Sequence, residues 1–170
     1  MNNRFQIKQI EASELNHFLD LYKPDFDYKK VNEIFEDTLE LCFDQDDVLS
    51  TNVIHACYDT KEAKYCAILN IGTTTAIDDL VSINVEFLFI EKAYRNIKFK
   101  ELNDIKLSKS LLVDYIASNI GTRIKSEIGI NIISITPINE KVRRTYEEMN
   151  FMTIDGSGSK KEEDWMIYYI

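Results

Sequence analysis

The sequence has little glycine, proline, cysteine or histidine: five, two, three and two residues, respectively, in a chain of 170. So few glycines and prolines exclude collagen-like repeats and low-complexity segments. The three cysteines are odd in number and form no C-x-x-C pair, so we expect small core residues in a reducing compartment. With only His17 and His55 available, the chain has little material for a zinc site or a Ser-His-Asp site, and no metal is expected.

Basic residues are scarce relative to acidic ones, with 20 Lys and Arg against 29 Asp and Glu and a net charge of -9. Phosphate binding needs a basic surface, so nucleic acid is not an expected partner. No apolar run approaches the roughly 18 residues of a membrane span, and the first residues lack the continuous apolar core of a signal peptide. We therefore expect a cytoplasmic protein with no membrane partner.

Length and hydrophobic periodicity predict a single domain, residues 1–170, with elements in the order β-α-α-β-β-β-α-β-α-β-β. Strands are predicted at residues 4–10, 48–58, 64–75, 81–90, 130–135, 151–154 and 165–170, and helices at 13–22, 25–42, 104–128 and 139–149. The short gaps between the three central strands predict antiparallel neighbours. The isoleucine-rich run at 130–135 is typical of a strand buried on both faces. The order predicts an α/β (α+β) fold in which helices pack on a mixed sheet.

Two segments carry a resemblance to a known family. Residues 137–151 read P-I-N-E-K-V-R-R-T-Y-E-E-M-N-F, which resembles the segment P-x-N-x-x-A-x-x-x-Y-E-x-x-G-F of the GNAT family of N-acetyltransferases. Val142 replaces the usual Ala and Asn150 the usual Gly, and Asn is the residue that best replaces Gly at a left-handed helix terminus. Residues 85–95, V-E-F-L-F-I-E-K-A-Y-R, are similar to the family's fourth strand and the turn after it. The resemblance implies a GNAT-like, mostly antiparallel sheet with helices on both faces.

The resemblance also implies an activity, the transfer of an acetyl group from acetyl-CoA to a primary amine. Tyr146 occupies the position of the family's tyrosine, which returns a proton to the CoA thiolate, and a phenol remains protonated at neutral pH. Glu86 is the candidate base that takes a proton from the amine, since an acidic residue on this strand has that role in several family members. The structural alternatives are a Tyr146 ring that packs on the sheet and a Glu86 that faces solvent from an alternating strand.

Further residues are implied to hold acetyl-CoA. Leu88, Phe89 and Ile90 match the bulged strand whose backbone groups pair with the pantetheine arm in the family, so the identity of their side chains matters little. Asn139 matches a residue that combines helix capping with a hydrogen bond toward the cofactor, although capping alone explains its presence.

The chain departs from the family at the turn that holds the pyrophosphate, which reads R/Q-x-x-G-x-G/A in the family. Arg95 begins the turn, the two glycine positions match Lys106 and Ser108, and about eight extra residues lie between. We expect Ser108 to permit close approach of a phosphate and Lys106 and Lys109 to supply positive charge; the alternative for both lysines is a solvated helix start. The inserted segment, residues 96–103, is rich in apolar side chains and is expected to fold over the cofactor end of the site or onto a partner subunit.

The acceptor is expected to be a small-molecule or protein amine, because the acidic balance favours a cation such as a polyamine or a lysine side chain. The main alternative is a catalytically inactive GNAT-like binding or regulatory protein that has lost the pyrophosphate turn. A third possibility is an acetyltransferase that acts on charged tRNA. The net charge disfavours it unless one basic face is formed by Arg95, Lys98, Lys100, Lys106 and Lys109. A homodimer is compatible with the sequence.

Overall fold

The computed structural model describes residues 4–14, 52–77, 80–158 and 164–170. The two helices predicted before residue 43 lie outside these residues, apart from a 3-10 turn at Ala12–Glu14. The described strands are β1 (Phe5–Gln9), β2 (Val53–Asp59), β3 (Lys64–Ile77), β4 (Leu80–Ile90), β5 (Lys98–Phe99), β6 (Ile105–Lys106), β7 (Ile132–Ile135), β8 (Met152–Thr153) and β9 (Met166–Tyr169). The described helical segments are α1 (Leu107–Lys109), a π segment (Ser110–Gly121), α2 (Thr122–Ile128) and α3 (Glu140–Glu147), with further 3-10 turns at Lys92–Tyr94 and Lys100–Leu102.

The main sheet has seven strands in the order β1-β2-β3-β4-β7-β9-β8, and β5 and β6 form a separate two-stranded hairpin. The pairs β1-β2, β2-β3, β7-β9 and β8-β9 are antiparallel. β4 runs parallel to β7 over three residue pairs, from Ile83↔Ile133 to Val85↔Ile135. The prediction of a mixed, mostly antiparallel sheet is confirmed, whereas the periodicity did not predict the β5-β6 hairpin.

The structure divides into two compact units. Of the described residues, the first unit contains 4–14, 52–71 and 86–108, and the second contains 72–77, 80–85, 109–158 and 164–170. The single domain predicted over 1–170 stays a prediction. Among the described residues, the largest fully buried apolar side chains in the first unit are Phe5, Ile54, Ile68, Leu69 and Leu107, and in the second unit Ile83, Leu111, Leu112, Ile116, Ile133 and Met166.

β7 is buried at all four of its positions. It lies between β4 and β9, which explains why its sequence is a continuous apolar run with one serine rather than an alternating pattern. That serine, Ser134, donates a hydrogen bond to the side-chain oxygen of Asn84 at 3.0 Å, and its hydroxyl lies 2.8 Å from the hydroxyl of Ser82. These contacts satisfy polar groups that would otherwise cost free energy in the interior of the second unit.

The helix predicted at 104–128 begins at Leu107 and ends at Gly129. Gly129 has a φ of 82°, and its N–H bonds to the Lys125 carbonyl at 3.0 Å, as expected for a left-handed helix terminus. Over Ser110–Gly121 the backbone winds as a π helix, in which each N–H reaches back five residues rather than four. An apolar spacing of three and four residues does not distinguish the two windings. In the part of the chain that the structure describes, no helix is long and apolar enough to cross a membrane.

Candidate active site and basic hairpin

The segment at 137–151 folds into α3 between two local signals. Asn139 has an extended backbone just before the helix, and its side-chain oxygen accepts a hydrogen bond from the Val142 N–H at 3.0 Å. This is the capping role predicted for it. Beyond the other end of the helix, Asn150 has a φ of 70°, so it takes the left-handed conformation for which the family uses Gly.

Tyr146 lies in the last turn of α3 and is 8% exposed. Its ring centroid lies 5.8 Å from that of Phe151, which in turn lies 5.3 Å from that of Tyr168. Burial raises the pKa of Tyr146 above its ordinary value of 10, so the hydroxyl holds its proton at neutral pH. The geometry fits both interpretations of the sequence, because the ring packs in the second unit while the hydroxyl keeps a proton to donate.

β4 carries the residues predicted to face the reacting groups. Glu86 is exposed and follows Val85, the last residue of β4 that pairs with β7. Phe89 is buried with 4% of its surface exposed, and Leu88 and Ile90 are half-buried. The Phe89 side chain therefore packs in the interior of the first unit, which agrees with a role for this strand through its backbone.

Arg95 closes the turn that follows β4. Its Nε donates to the carbonyl oxygen of Ile90 at 2.6 Å, and its guanidinium lies 5.1 Å from the centroid of the Phe89 ring. The 3-10 turn Lys92–Tyr94 lies between Ile90 and Arg95. The Arg95 side chain thus joins the two ends of the turn and holds the backbone that precedes the inserted segment.

A buried carboxylate ties this turn to the rest of the first unit. Asp59 accepts hydrogen bonds from Nε and Nη2 of Arg4, at 3.0 and 2.9 Å, and from the Tyr94 hydroxyl at 2.9 Å. Arg4 also donates to Glu101 at 2.9 Å. Burial alone would raise the pKa of Asp59, but Arg4, Tyr94 and two backbone N–H groups of the following turn hold it below its ordinary value. Asp59 is therefore ionised at neutral pH and anchors three chain segments.

The β5-β6 hairpin occupies the inserted part of the sequence. The Phe99 ring packs edge-on against Phe5, with centroids 5.1 Å apart, and stacks on Tyr94 at 6.0 Å. Phe99 and Leu102 are only 8% and 5% exposed. Both side chains are buried within the first unit, and the expectation that residues 96–103 fold over the cofactor end of the site or onto a partner subunit stays a prediction.

The opposite face of the hairpin is basic. Lys98 pairs directly with Lys106 across the two strands, so both side chains leave the same face. Lys98 and Lys100 are exposed and Lys106 is half-buried. Lys106 therefore ends a strand, whereas the sequence placed it at a helix start.

Ser108 and Lys109 lie in the first turn of the long helix, where Ser108 is half-buried and Lys109 is exposed. The first N–H groups of a helix have no partner within it and attract anions. Lys106 and Ser108 thus lie at the helix start, in the first unit, which also contains Arg95 and the end of β4. Lys109, Asn139 and Tyr146 belong to the second unit.

Two features of these residues were not predicted from the sequence: the contacts of Asp59 and the pairing of Lys98 with Lys106. Asp59 reads as a residue that ends a strand, and the side chains that bond to it lie 55 and 35 positions away, so no local pattern reveals them. The pairing of Lys98 with Lys106 did have a local signal. Asn103 and Asp104 are turn residues between two short runs, and both adopt positive φ, 57° and 60°.

Comparisons with known proteins show which fold the chain shares. No protein-family model matches the sequence, and no curated protein matches it significantly. Among solved structures, AtaTR bound with acetyl-CoA matches with a TM-score of 0.69 and 12% identity, over 98% of this chain and 94% of that chain. The KacTA-DNA complex matches with a TM-score of 0.65 and 14% identity, over 98% and 93%. AtaT complexed with acetyl-methionyl-tRNAfMet matches with 0.62 and 14%, over 97% and 94%. The predicted GNAT acetyltransferase fold is therefore confirmed.

The expectation that nucleic acid is an unlikely partner is wrong, because proteins of this fold have been solved with DNA and with charged tRNA. Net charge misled because phosphate contacts depend on the local surface rather than on the sum over the chain. Residues 95–106 carry four basic and two acidic side chains within a chain of net charge -9. One of the two acids, Glu101, is already paired with Arg4.

Proposed function

We propose that the protein is an N-acetyltransferase that uses acetyl-CoA to acetylate a primary amine. The observation that carries this proposal is the shared fold, since 98% of the chain matches a structure solved with acetyl-CoA. α3 adds support from the residues themselves: a capping Asn139, a left-handed Asn150, and Tyr146 between them, as in the family segment.

The proposed reaction forms a bond between the amine nitrogen and the acetyl carbon and breaks the bond between that carbon and sulfur. The ammonium loses its proton to Glu86, directly or through water, and the CoA thiolate takes a proton from Tyr146. The exposure of Glu86 on β4 suits a group that exchanges protons with solvent. Burial raises the pKa of Tyr146, so the phenol is protonated at neutral pH and has a proton to give.

The residues at the ends of β4 and at the start of the long helix fit the cofactor. Leu88, Phe89 and Ile90 follow the last β4-β7 pair, and their backbone would pair with the pantetheine arm. The helix start, with Ser108 in its first turn and Lys106 just before it, offers N–H groups and a positive charge to the pyrophosphate. Within the proposal, Arg95 shapes this region, and Lys109 and Asn139 keep the roles toward the cofactor that the resemblance implies.

For the acceptor we propose the amine of a charged tRNA. Two observations support it: AtaT, which has this fold, has been solved with acetyl-methionyl-tRNAfMet, and Lys98 and Lys106 form a basic pair on the first unit. A polyamine or a protein lysine would need acidic surface rather than such a pair. Acetylation of either of these in preference to charged tRNA would refute this choice of acceptor while leaving the transferase intact.

Calorimetry with acetyl-CoA tests the proposal directly, with inorganic phosphate as a control for non-specific phosphate binding. We expect saturable binding of acetyl-CoA, and at 100 times its Kd the ligand should stabilise the protein by about 2.7 kcal/mol. Heat and a thermal shift with acetyl-CoA but not with inorganic phosphate would support the transferase. No response to millimolar acetyl-CoA would favour the alternative, a GNAT-like binding or regulatory protein.

A further inference from the structure

We propose that the basic face of the β5-β6 hairpin, formed by Lys98, Lys100 and Lys106, binds the phosphate backbone of RNA. This inference rests on the proposed function, in which the acceptor amine is carried by tRNA. It assigns a role to the inserted part of the sequence.

The hairpin places three ammonium groups on one face. Lys98 and Lys106 are directly opposite each other, and such residues have Cβ atoms about 4.5–5.5 Å apart. Phe99 has an extended backbone, with φ -109° and ψ 126°, so Lys100 projects to the same side as Lys98. Residues two apart in an extended strand are separated by about 6.6–6.8 Å. The three lysines therefore form a compact triangle of positive charge.

This arrangement costs stability unless an anion is bound. Like charges directly opposite each other in a hairpin repel. Within the described part of the chain, none of these three lysines makes an ion pair, whereas the nearby Glu101 is engaged by Arg4. Asp104, in the turn, is the remaining acidic side chain of the hairpin. A bound phosphate chain would relieve the repulsion.

The apolar face of the hairpin holds the lysines in place. Phe99 packs between Phe5 and Tyr94, and Leu102, three residues further along the chain, is also buried. The Arg4–Glu101 ion pair fastens the turn from the other side. A surface that is already ordered binds with less loss of conformational entropy. The hairpin is thus built as a platform rather than as a flexible basic loop.

Phosphate groups are present both in RNA and in acetyl-CoA, and the arrangement favours RNA. A helix start serves the pyrophosphate in the proposed cofactor site, through N–H groups and Lys106. A row of exposed side chains such as Lys98 and Lys100 suits a repeating backbone, whose binding depends on the number of neutralised phosphates.

Binding of deacylated tRNA at several salt concentrations tests the inference without needing catalysis. The double variant Lys98→Gln/Lys100→Gln should bind more weakly, and its slope of log K against log salt should fall by about 1.4–1.8, from roughly 0.7–0.9 per lost phosphate contact. Lys98→Arg/Lys100→Arg should keep the wild-type slope, because the charges remain. The control Arg123→Gln/Lys141→Gln removes two exposed charges from the second unit and should leave the slope unchanged.

Acetyl-CoA binding separates this inference from the proposed function. We expect Lys98→Gln/Lys100→Gln, which leaves Lys106 at the proposed pyrophosphate site intact, to bind acetyl-CoA within about twofold of wild type. A large loss of acetyl-CoA affinity with unchanged tRNA binding would overturn the inference and assign the hairpin to the cofactor. Wild-type protein that binds acetyl-CoA but not tRNA would also overturn it, leaving an acetyltransferase with a different acceptor.

Discussion

Two segments of this protein, 137–151 and 95–106, were both compared with the same family pattern, and they are held in place in different ways. In the first, a cap and a left-handed residue within the segment define α3. In the second, the Phe99 ring packs against the ring of Phe5, and Glu101 accepts a hydrogen bond from Arg4, 97 positions away. Local signals are enough to keep the conformation of residues 137–151, although single residues there differ from the family pattern. The inserted segment is instead held in place by contacts with residues far away along the chain.

The largest effect is expected from removing the main anchor of the second segment. Phe99→Ala should lower the free energy of unfolding by about 3–5 kcal/mol, because a buried aromatic ring is lost between two others. Urea unfolding measures it. Ile97→Ala is the matched control, since Ile97 is 46% exposed and should change stability by no more than about 0.5 kcal/mol. Equal losses of unfolding free energy in the two variants would show that the Phe99 ring is not packed against Phe5 and Tyr94.

The charged anchor should make the first unit sensitive to acid. Asp59→Asn is expected to cost about 3 kcal/mol at neutral pH, because it removes one partner of a buried ion pair. The folded-state pKa of Asp59 is lowered, so its contribution is present above an unfolded-state pKa near 3.9 and is lost as pH falls below that value. Unfolding measured from pH 6 to 3 should therefore show a loss of wild-type stability at the acid end that is weaker in Asp59→Asn. Parallel curves for the two proteins would rule out this anchor.

The sequence was sufficient to predict features that depend on neighbouring residues and insufficient for features that depend on distant ones. It predicted β7 as a strand buried on both faces and α3 with Asn139 and Asn150 at its ends, because each depends on neighbouring residues. It missed the Arg4–Asp59 pair and the inward packing of Phe99, because their partners are far away along the chain. It also misjudged nucleic acid, since net charge averages over the surface and hides a local pair such as Lys98 and Lys106.

A smaller effect is expected at the local signal of the first segment. Asn139→Ala should lower the free energy of unfolding by about 1 kcal/mol through loss of the cap, and Asn139→Asp should retain it. Thermal unfolding of the three proteins measures the difference. If Asn139→Asp keeps wild-type stability but loses acetyl-CoA affinity, Asn139 also contacts the cofactor; if it keeps both, capping is its whole role.

Turnover of Tyr146→Phe tests the proposed chemistry most directly, with labelled acetyl-CoA and an aminoacylated tRNA pool as substrates. The substitution removes the proton donor and keeps the ring that packs near Phe151. We predict at least about 100-fold slower turnover, the size expected for general acid catalysis, with acetyl-CoA affinity and melting temperature close to wild type. Wild-type turnover together with a lower melting temperature would contradict the account, since Tyr146 would then serve only to pack α3.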